Sequence, residues 1–255
     1  MKIESTVRHV SKISTGALAS ALLLLLGACA SMQGSPPVDP EYYKKVIASP
    51  VRTDNDRKAD EGRKPLEFLQ FLQVRPGQRT LDVVSGGGYT VQLVALAAGA
   101  EGSAYGLVQK PGPAMEKRML EHPDGNFKLL VRTFDDPYPF DQPKLDLVTL
   151  IMNYHDIANT PLDRAVMNRK IFEALKPGGH YVVIDHSTKP GAGATQTKTL
   201  HRIEDATVKE EVTRAGFVLE ATSDYLRNPA DPREQGYFDM KGVPSDKWAM
   251  RFVKP

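Results

Sequence analysis

Short apolar runs alternate along the chain with stretches in which apolar residues recur at helical spacing. The runs at 80–84 and 127–131 are rich in aliphatic and β-branched residues, and the run at 145–151 is of the kind buried on both faces of a sheet. The stretch 91–97 has apolar residues at helical spacing. Strands that alternate with helices form a mainly parallel sheet with right-handed crossovers, so the pattern predicts a doubly wound α/β fold.

Caps and breakers divide this pattern into elements. Pro65 lies near the start of a helix with an apolar stripe, which ends before Arg75. Thr160, Pro161 and Asp163 predict another helix start, with a cap, a proline at the first position and an acid at the third. That helix is predicted to run to 175 and to end in a turn at 176–179. Further helices are predicted at 41–48, after a cap within 53–56, at 113–121 and at 205–215. Further strands are predicted at 102–109, 181–184, 217–225 and 248–253.

A glycine-rich turn joins the strand at 80–84 to the helix that follows it. Ser85 is followed there by Gly86, Gly87 and Gly88. Glycine permits positive φ, and without a Cβ atom a ligand can approach the backbone closely. The free N–H groups at the helix start then face whatever lies above the carboxyl end of the strand. Taken alone, this turn indicates either a ligand site or a plain connection between strand and helix.

The N-terminal segment has the pattern of a bacterial export signal. A basic start is followed at 16–28 by an apolar run too short to span a bilayer comfortably. Residues 26–29, Leu-Gly-Ala-Cys, resemble the lipobox of bacterial lipoproteins, and Cys29 is the only cysteine. That resemblance implies a lipid anchor on Cys29, and Ala30 after it implies the outer membrane, facing the periplasm. We therefore expect a signal peptide at 1–28, a lipidated cysteine and flexible tether at 29–53, and a folded domain at 54–255.

Charge gives no indication of a nucleic-acid partner. The formal net charge is +2, with 33 basic and 31 acidic residues. Residues 1–28 hold three of the basic residues and one of the acidic ones, so the rest of the chain carries 30 of each. A neutral domain lacks the basic surface that attracts DNA or RNA, and we expect no nucleic acid.

Several motifs together resemble the class I S-adenosylmethionine-dependent methyltransferases, whose sheet has seven strands with the last one antiparallel. More narrowly, the chain resembles a family of bacterial predicted methyltransferases, over roughly residues 54–255. The matching motifs are Gly-Gly-Gly-Tyr at 86–89, Asn-Tyr-His-Asp at 153–156, Leu-Lys-Pro-Gly-Gly at 175–179, Ile-Asp-His at 184–186, His-Arg-Ile at 201–203 and Leu-Arg-Asn-Pro at 226–229.

The resemblance implies S-adenosylmethionine as the cofactor and assigns residues to it. Asp82 is expected to fix the loop backbone or to contact the cofactor's amino group through water. Gln109 stands at the end of the second strand, where the superfamily usually has an acid on the ribose, and Val84 stands where the loop usually has its first glycine. Asp135 or Asp136 is expected near the adenine, or else belongs to a solvated acidic turn. The expected cofactor-binding residues are Asp82, Ser85, Gly86, Gly87, Gly88, Gln109, Asp135 and Asn153.

The resemblance also implies a catalytic group at the ends of two central strands. Asn153, His155 and Asp156 follow one of them and are expected to hold the methyl acceptor. His155 is the first candidate for a base, and the alternative for it is a purely structural histidine. Asp185 and His186 end the adjacent strand, where Asp185 is positioned to orient a histidine. An alternative is a metal site, because His155, Asp156, Asp185, His186 and His201 are all of metal-ligand type.

Three functions remain open at this point. The first is a methyltransferase carried on a membrane-anchored lipoprotein, with an acceptor that the sequence does not identify. The second is a binding module that keeps the methyltransferase scaffold for another small ligand, favoured by Gln109, Val84 and the export signal. The third is a metal-dependent hydrolase that uses the histidine and aspartate cluster. S-adenosylmethionine is made in the cytoplasm, so the export signal and the cofactor-binding loop point to different compartments.

Overall fold

A computed structural model describes residue 1 and residues 36–122 and 127–255. The predicted signal peptide, Cys29, Ala30 and the tether up to residue 35 lie outside the described residues, apart from Met1. Residues 37–255 form one compact unit. Within the described ranges, no helix is both long enough and apolar enough to cross a membrane.

The sheet has seven strands in the order β3-β2-β1-β4-β5-β7-β6. All neighbouring pairs are parallel except those of β7, which runs antiparallel to both β5 and β6. This confirms the predicted α/β fold with a terminal antiparallel strand. The strands are β1 (Arg79–Val83), β2 (Ser103–Val108), β3 (Phe127–Val131), β4 (Leu145–Ile151), β5 (Leu175–His186), β6 (Val218–Ser223) and β7 (Lys247–Val253).

Helices flank the sheet and connect its strands. The helices of the described part are α1 (Pro40–Ile47), α2 (Asp54–Arg63), α3 (Pro65–Leu72), α4 (Tyr89–Ala98), α5 (Pro113–Glu121), α6 (Tyr154–Ile157), α7 (Arg164–Ala174), α8 (Thr197–Leu200) and α9 (Asp205–Arg214), with a 3-10 turn at Tyr237–Asp239. The predicted cap before α2 is present: Thr53 and Asp56 form a reciprocal capping box.

The start of α7 differs from the prediction. Asp163, not Thr160, caps the helix, because its carboxylate accepts from the backbone N–H groups of Ala165 and Val166. The hydroxyl of Thr160 donates instead to the carbonyl of Ile157, 2.8 Å away, and so closes the turn after α6. The helix therefore begins at Arg164, and Thr160 belongs to the turn before it.

The predicted turn at 176–179 lies inside β5. Gly178 N–H donates to the carbonyl of Lys254 at 2.7 Å, and Lys254 N–H donates to the carbonyl of Gly179 at 2.9 Å. These bonds continue the antiparallel pairing with the end of β7, so the segment stays in the sheet although its composition is that of a turn.

The order of the strands positions the site. Strands β1 and β4 lie side by side in the middle of the sheet, with Asp82 opposite Thr149 in the register. From β1 the strand order continues to one edge of the sheet through β2 and β3, and from β4 it continues to the other edge. In open α/β sheets, ligands bind where the strand order reverses, outside the carboxyl ends of the strands. Here that place is the glycine turn after β1 and the segment around Asn153 after β4.

Candidate functional site

The glycine turn leaves backbone amides open above β1. Gly86 has φ +53° and Gly88 has φ +89°, which supports the expectation that the turn needs glycine. A Cβ atom on Gly86 would meet nothing within 4 Å, whereas one on Gly88 would come within 2.7 Å of the Cδ of Arg118. Among the described residues, the N–H groups of Gly86 and Gly87 have no hydrogen-bond acceptor. Two donors are therefore free for a ligand.

Val84 is held in an unusual conformation just before this turn. Its φ is +61°, a genuine outlier for a β-branched residue. Strain of this kind costs on the order of 1–3 kcal/mol and persists only where the surrounding structure imposes it, commonly at ligand sites. Val84, which the sequence analysis places at the first glycine position of the loop, therefore has a backbone conformation that favours glycine.

A cavity of about 380 Å³ lies beside the turn. It is enclosed by α2, the glycine turn, α5 and the end of β4, and its volume is within the range of small-molecule sites. Of the residues predicted to bind a cofactor, those on its wall are Asp82, Ser85, Gly86, Gly87 and Asn153.

Other predicted cofactor residues are not on the cavity wall. Gly88 is covered by Arg118, and Gln109 is exposed at the end of β2. Asp135 is half-buried in the turn after β3, and the neighbouring Asp136 forms an ion pair with Arg132. The roles predicted for Gln109 and Asp135 therefore stay predictions, and the pairing of Asp136 favours the alternative of a solvated acidic turn.

Asp82 is a buried carboxyl at the floor of the cavity. It accepts a hydrogen bond of 2.8 Å from the hydroxyl of Thr149 on β4. Burial raises the pKa of Asp82 to about 7, although the hydrogen bond from Thr149 and the positive charge of Arg63 oppose this shift. A carboxyl with a pKa near neutrality can ionise when a cationic ligand group binds, and it can stay protonated in the core when no ligand is bound.

Helix α2 covers the turn and is anchored by two charged networks. In the first, Arg118 on α5 forms a bidentate ion pair with Asp56, at 2.8 and 3.0 Å, and its Nε donates to the carbonyl of Gly87 at 2.9 Å. In the second, Tyr89 of the Gly-Gly-Gly-Tyr motif donates to Asp60 at 2.7 Å, and Asp60 also pairs with Arg52. These contacts fix the loop and close one side of the cavity.

Arg63 is a cavity residue that the sequence analysis missed. Its guanidinium lies 4.7 Å from the centre of the Tyr89 ring. No carboxylate within residues 36–122 and 127–255 forms an ion pair with it. It belongs to the charge-rich helix α2, whose sequence resembles a solvated surface helix, so no local signal distinguished it. In the structure it is a cation available to an anionic ligand group.

The polar residues after β4 and β5 form a second cluster. The ring Nδ1 of His155 lies 2.7 Å from Asp185, which also accepts from the backbone N–H groups of His155 and His186. The Nε2 of His155 and the Nδ1 of His201 each lie 3.3 Å from the same oxygen of Asp156. The structure thus brings the predicted catalytic histidines and aspartates together, but only Asn153 of the predicted catalytic group lies on the cavity wall.

The two buried histidines of this cluster differ in charge. Burial alone would lower the pKa of His155, but hydrogen bonds to Asp156 and Asp185 outweigh it and raise the pKa to about 9. Burial, together with the positive charge of Lys247, lowers the pKa of His186 to about 2. His186 is thus neutral, with Nδ1 2.7 Å from the hydroxyl of Ser245, while His155 holds a proton at neutral pH.

Comparison with solved structures identifies the fold. The chain is similar to a SAM-dependent methyltransferase from Aquifex aeolicus, with a TM-score of 0.58, 13% identity, and 86% of this chain and 100% of that one covered. The chain has the methyltransferase fold. It is also similar to the N-methyltransferase NodS from Bradyrhizobium japonicum, with a TM-score of 0.53, 14% identity, and 79% and 98% covered.

A third methyltransferase has the same fold, the arsenic(III) S-adenosylmethionine methyltransferase CrArsM from Chlamydomonas reinhardtii. Its TM-score is 0.55, with 14% identity, and 86% of this chain and 74% of that one are covered. No protein-family model matches the chain, and no curated protein sequence matches it. Identities this low show the fold and leave the reaction to be argued from the site.

Proposed function

We propose that this chain is an S-adenosylmethionine-dependent methyltransferase. The observation that carries the proposal is the set of groups around the cavity beside the glycine turn. The N–H groups of Gly86 and Gly87, the carboxyl of Asp82 and the guanidinium of Arg63 are all found there, and within residues 36–122 and 127–255 neither N–H group has an acceptor and the guanidinium has no carboxylate partner. A ligand with an amino-acid end presents an ammonium and a carboxylate, and this set supplies an acceptor for the first and donors for the second.

The cavity residues fit such a cofactor. Gly86 has open space where a side chain would stand, and Ser85 and Asn153 offer further hydrogen-bonding groups on the same wall. In the proposal, Asp82 accepts a hydrogen bond from the ammonium group and Arg63 donates one to the carboxylate. The glycines of the turn have no side chains, so the cofactor can approach their backbone closely. The bound cofactor would supply a methyl group on a sulfonium sulfur, which needs alignment more than covalent help from the protein.

The acceptor side is assigned to the segment after β4. Asn153 lies on the cavity wall and donates through Nδ2 to the carbonyl of Ile151 at 2.8 Å, which fixes the orientation of its amide. We propose that Asn153 holds the acceptor against the cofactor. The role of His155 as general base stays a prediction. Two observations argue against it: His155 does not lie on the cavity wall, and its raised pKa of about 9 keeps the ring protonated at neutral pH.

We further propose that the enzyme is a lipoprotein of the bacterial envelope. The basic start, the apolar run and Leu-Gly-Ala-Cys at 26–29 support lipidation of Cys29. Acyl chains contribute about 0.8 kcal/mol for each buried CH₂, so more than one chain on Cys29 would hold the domain firmly to a membrane. Ala30 favours the outer membrane, facing the periplasm.

Calorimetric titration of the full chain with S-adenosylmethionine tests the cofactor assignment. We expect a dissociation constant in the micromolar range, about −8 kcal/mol. Arg63→Gln should weaken binding about 10-fold or more, because a hydrogen bond to a charged group contributes about 1.5–3 kcal/mol. Lys58→Gln is the matched control, since Lys58 is an exposed cation on the same helix and should bind as the parent does. No heat at millimolar cofactor would refute the assignment.

A second candidate is a binding module that does not transfer a methyl group. It is favoured by Gln109, which leaves the end of β2 without the carboxylate that the superfamily uses there. A methyl-labelled cofactor and a bacterial envelope fraction separate the two functions. Label transferred to any component supports the enzyme, whereas micromolar binding without transfer supports the binding module.

A further inference from the structure

The cluster after β4 and β5 contains three groups arranged as metal ligands. His155 and Asp156 belong to α6, and His201 follows the last residue of α8 with φ +53°. One ligand atom from each of these three residues lies within 4.8 Å of the other two. The side chain of His155 is only 4% exposed, whereas those of Asp156 and His201 are 49% and 31% exposed, so an ion could enter from solvent.

Two of the distances in this group match the spacing of tetrahedral ligands. Zinc bonds to nitrogen and oxygen of about 2.0–2.1 Å, at tetrahedral angles, place neighbouring ligand atoms about 3.3 Å apart. The Nε2 of His155 and the Nδ1 of His201 each lie 3.3 Å from the Oδ1 of Asp156. These two distances fit one shared ion, and one ligand atom from each of the three residues lies within 4.8 Å of the other two.

A second, independent observation is the support of His155 from behind. Its Nδ1 faces the carboxylate of the fully buried Asp185 at 2.7 Å, and its backbone N–H donates to the other oxygen of the same carboxylate at 2.9 Å. Metal-bound histidines almost always donate their second ring N–H to a carboxylate or carbonyl, which fixes the ring and the tautomer. Asp185 thus leaves Nε2 as the ligand atom of His155.

The same geometry separates ligands from supporting residues. Asp185 is bonded to His155 and to the N–H of His186, and the Nδ1 of His186 faces Ser245 at 2.7 Å. Of the five residues of metal-ligand type that the sequence offered, His155, Asp156 and His201 are the ones that the described part of the structure groups together, with their ligand atoms within 4.8 Å of one another.

We propose that His155, Asp156 and His201 bind one divalent transition-metal ion of the Zn²⁺ type. Two imidazole nitrogens and one carboxylate oxygen suit such an ion, whereas Mg²⁺ and Ca²⁺ prefer oxygen ligands alone. Three protein ligands leave a fourth position for water or a substrate group, as in catalytic rather than structural zinc sites. A metal on Nε2 excludes His155 from the role of general base, so the site gives that residue a different function.

The test is a Zn²⁺ titration of the full chain, purified in detergent, stripped with a chelator and free of S-adenosylmethionine. Competition with a chromophoric chelator should show one Zn²⁺ per chain with micromolar or tighter affinity, and Mg²⁺ should not compete. His201→Ala, a change at a partly exposed residue, should weaken Zn²⁺ binding at least 100-fold. Asp185→Asn should weaken it 10- to 100-fold although all three ligands remain.

His180→Ala is the control, because His180 lies on β5 and faces Glu220 at 3.2 Å, away from the cluster. It should bind Zn²⁺ as the parent does. Zn²⁺ should raise the melting temperature of the parent and of His180→Ala but not that of His201→Ala, which also shows that each variant is folded. Absence of Zn²⁺ binding by the parent, or equal affinity in the parent and His201→Ala, would overturn the proposal. Neither result bears on cofactor binding, which is measured without metal.

Discussion

Replacing Asp82 with asparagine should stabilise the protein while weakening its cofactor binding. Burial raises the pKa of Asp82 to about 7 from an ordinary value of 3.8. Because one pKa unit corresponds to 1.36 kcal/mol, the ionised carboxylate is destabilising by about 4 kcal/mol in the folded state above pH 7. The asparagine side chain would keep the oxygen that accepts from Thr149 and would carry no charge.

The pH dependence gives the sign of the effect. Between pH 4 and 7 the folded protein keeps a proton on Asp82 that the unfolded chain has lost, so the free energy of unfolding falls as the pH rises through this window. Above pH 7 both states are ionised and the loss is complete. The stability advantage of Asp82→Asn over the parent should therefore be about 3 kcal/mol larger at pH 8 than at pH 5.

Urea unfolding, followed by fluorescence, measures this difference. Trp248 is the only tryptophan and is buried on β7, so its emission reports unfolding of the sheet. Asp141→Asn, at an exposed carboxyl, is the control and should show no such pH-dependent gain. In the same samples, Asp82→Asn should bind S-adenosylmethionine about 10- to 100-fold more weakly, since it lacks the charged acceptor. A variant that is less stable than the parent at pH 8, or that binds equally well, would refute the reasoning.

Three further changes test the loop and the anchor. Gly88→Ala should destabilise the protein by about 1–3 kcal/mol in thermal unfolding, because the added Cβ would meet Arg118 at 2.7 Å and φ is +89°. Gly62→Ala is the control, since a Cβ there would meet no atom within 4 Å, and equal effects of the two changes would contradict this. Arg118→Met should destabilise by about 3–5 kcal/mol in urea, since it leaves the buried Asp56 unpaired; a loss below about 1 kcal/mol would show that the pair contributes little. Cys29→Ala should release the protein from membranes or leave it unprocessed, as measured by fractionation and mass; unchanged partition and mature mass would rule out the anchor.

Much of the fold could be predicted because it depends on local patterns. The strands β3 and β4 have the predicted bounds, since each is an uninterrupted apolar run between breakers. The prediction of a turn at 176–179 was wrong because glycines and a proline normally indicate a break in a strand. The residues that pair with this segment and keep it in the sheet lie at the far end of β7. Such a partner has no local signal.

The candidate site divides in the same way. Asp82 and the glycines of the loop could be predicted because they follow one strand directly. Arg118 and Asp56 could not, because they are 62 residues apart and each lies in a helix rich in charge, where a solvated face is the ordinary interpretation. The convergence of His155 with Asp185 could be predicted because the two residues follow the ends of adjacent strands. Which nitrogen of the His155 ring faces Asp185 is visible only in the side-chain geometry.

The most direct test of the central claim is a crystal structure of the full chain grown with S-adenosylmethionine. We expect the amino-acid end of the cofactor at the N–H groups of Gly86 and Gly87, with its ammonium on Asp82 and its carboxylate on Arg63. A cavity that stays empty at saturating cofactor, or a cofactor bound away from these four residues, would contradict the proposed function.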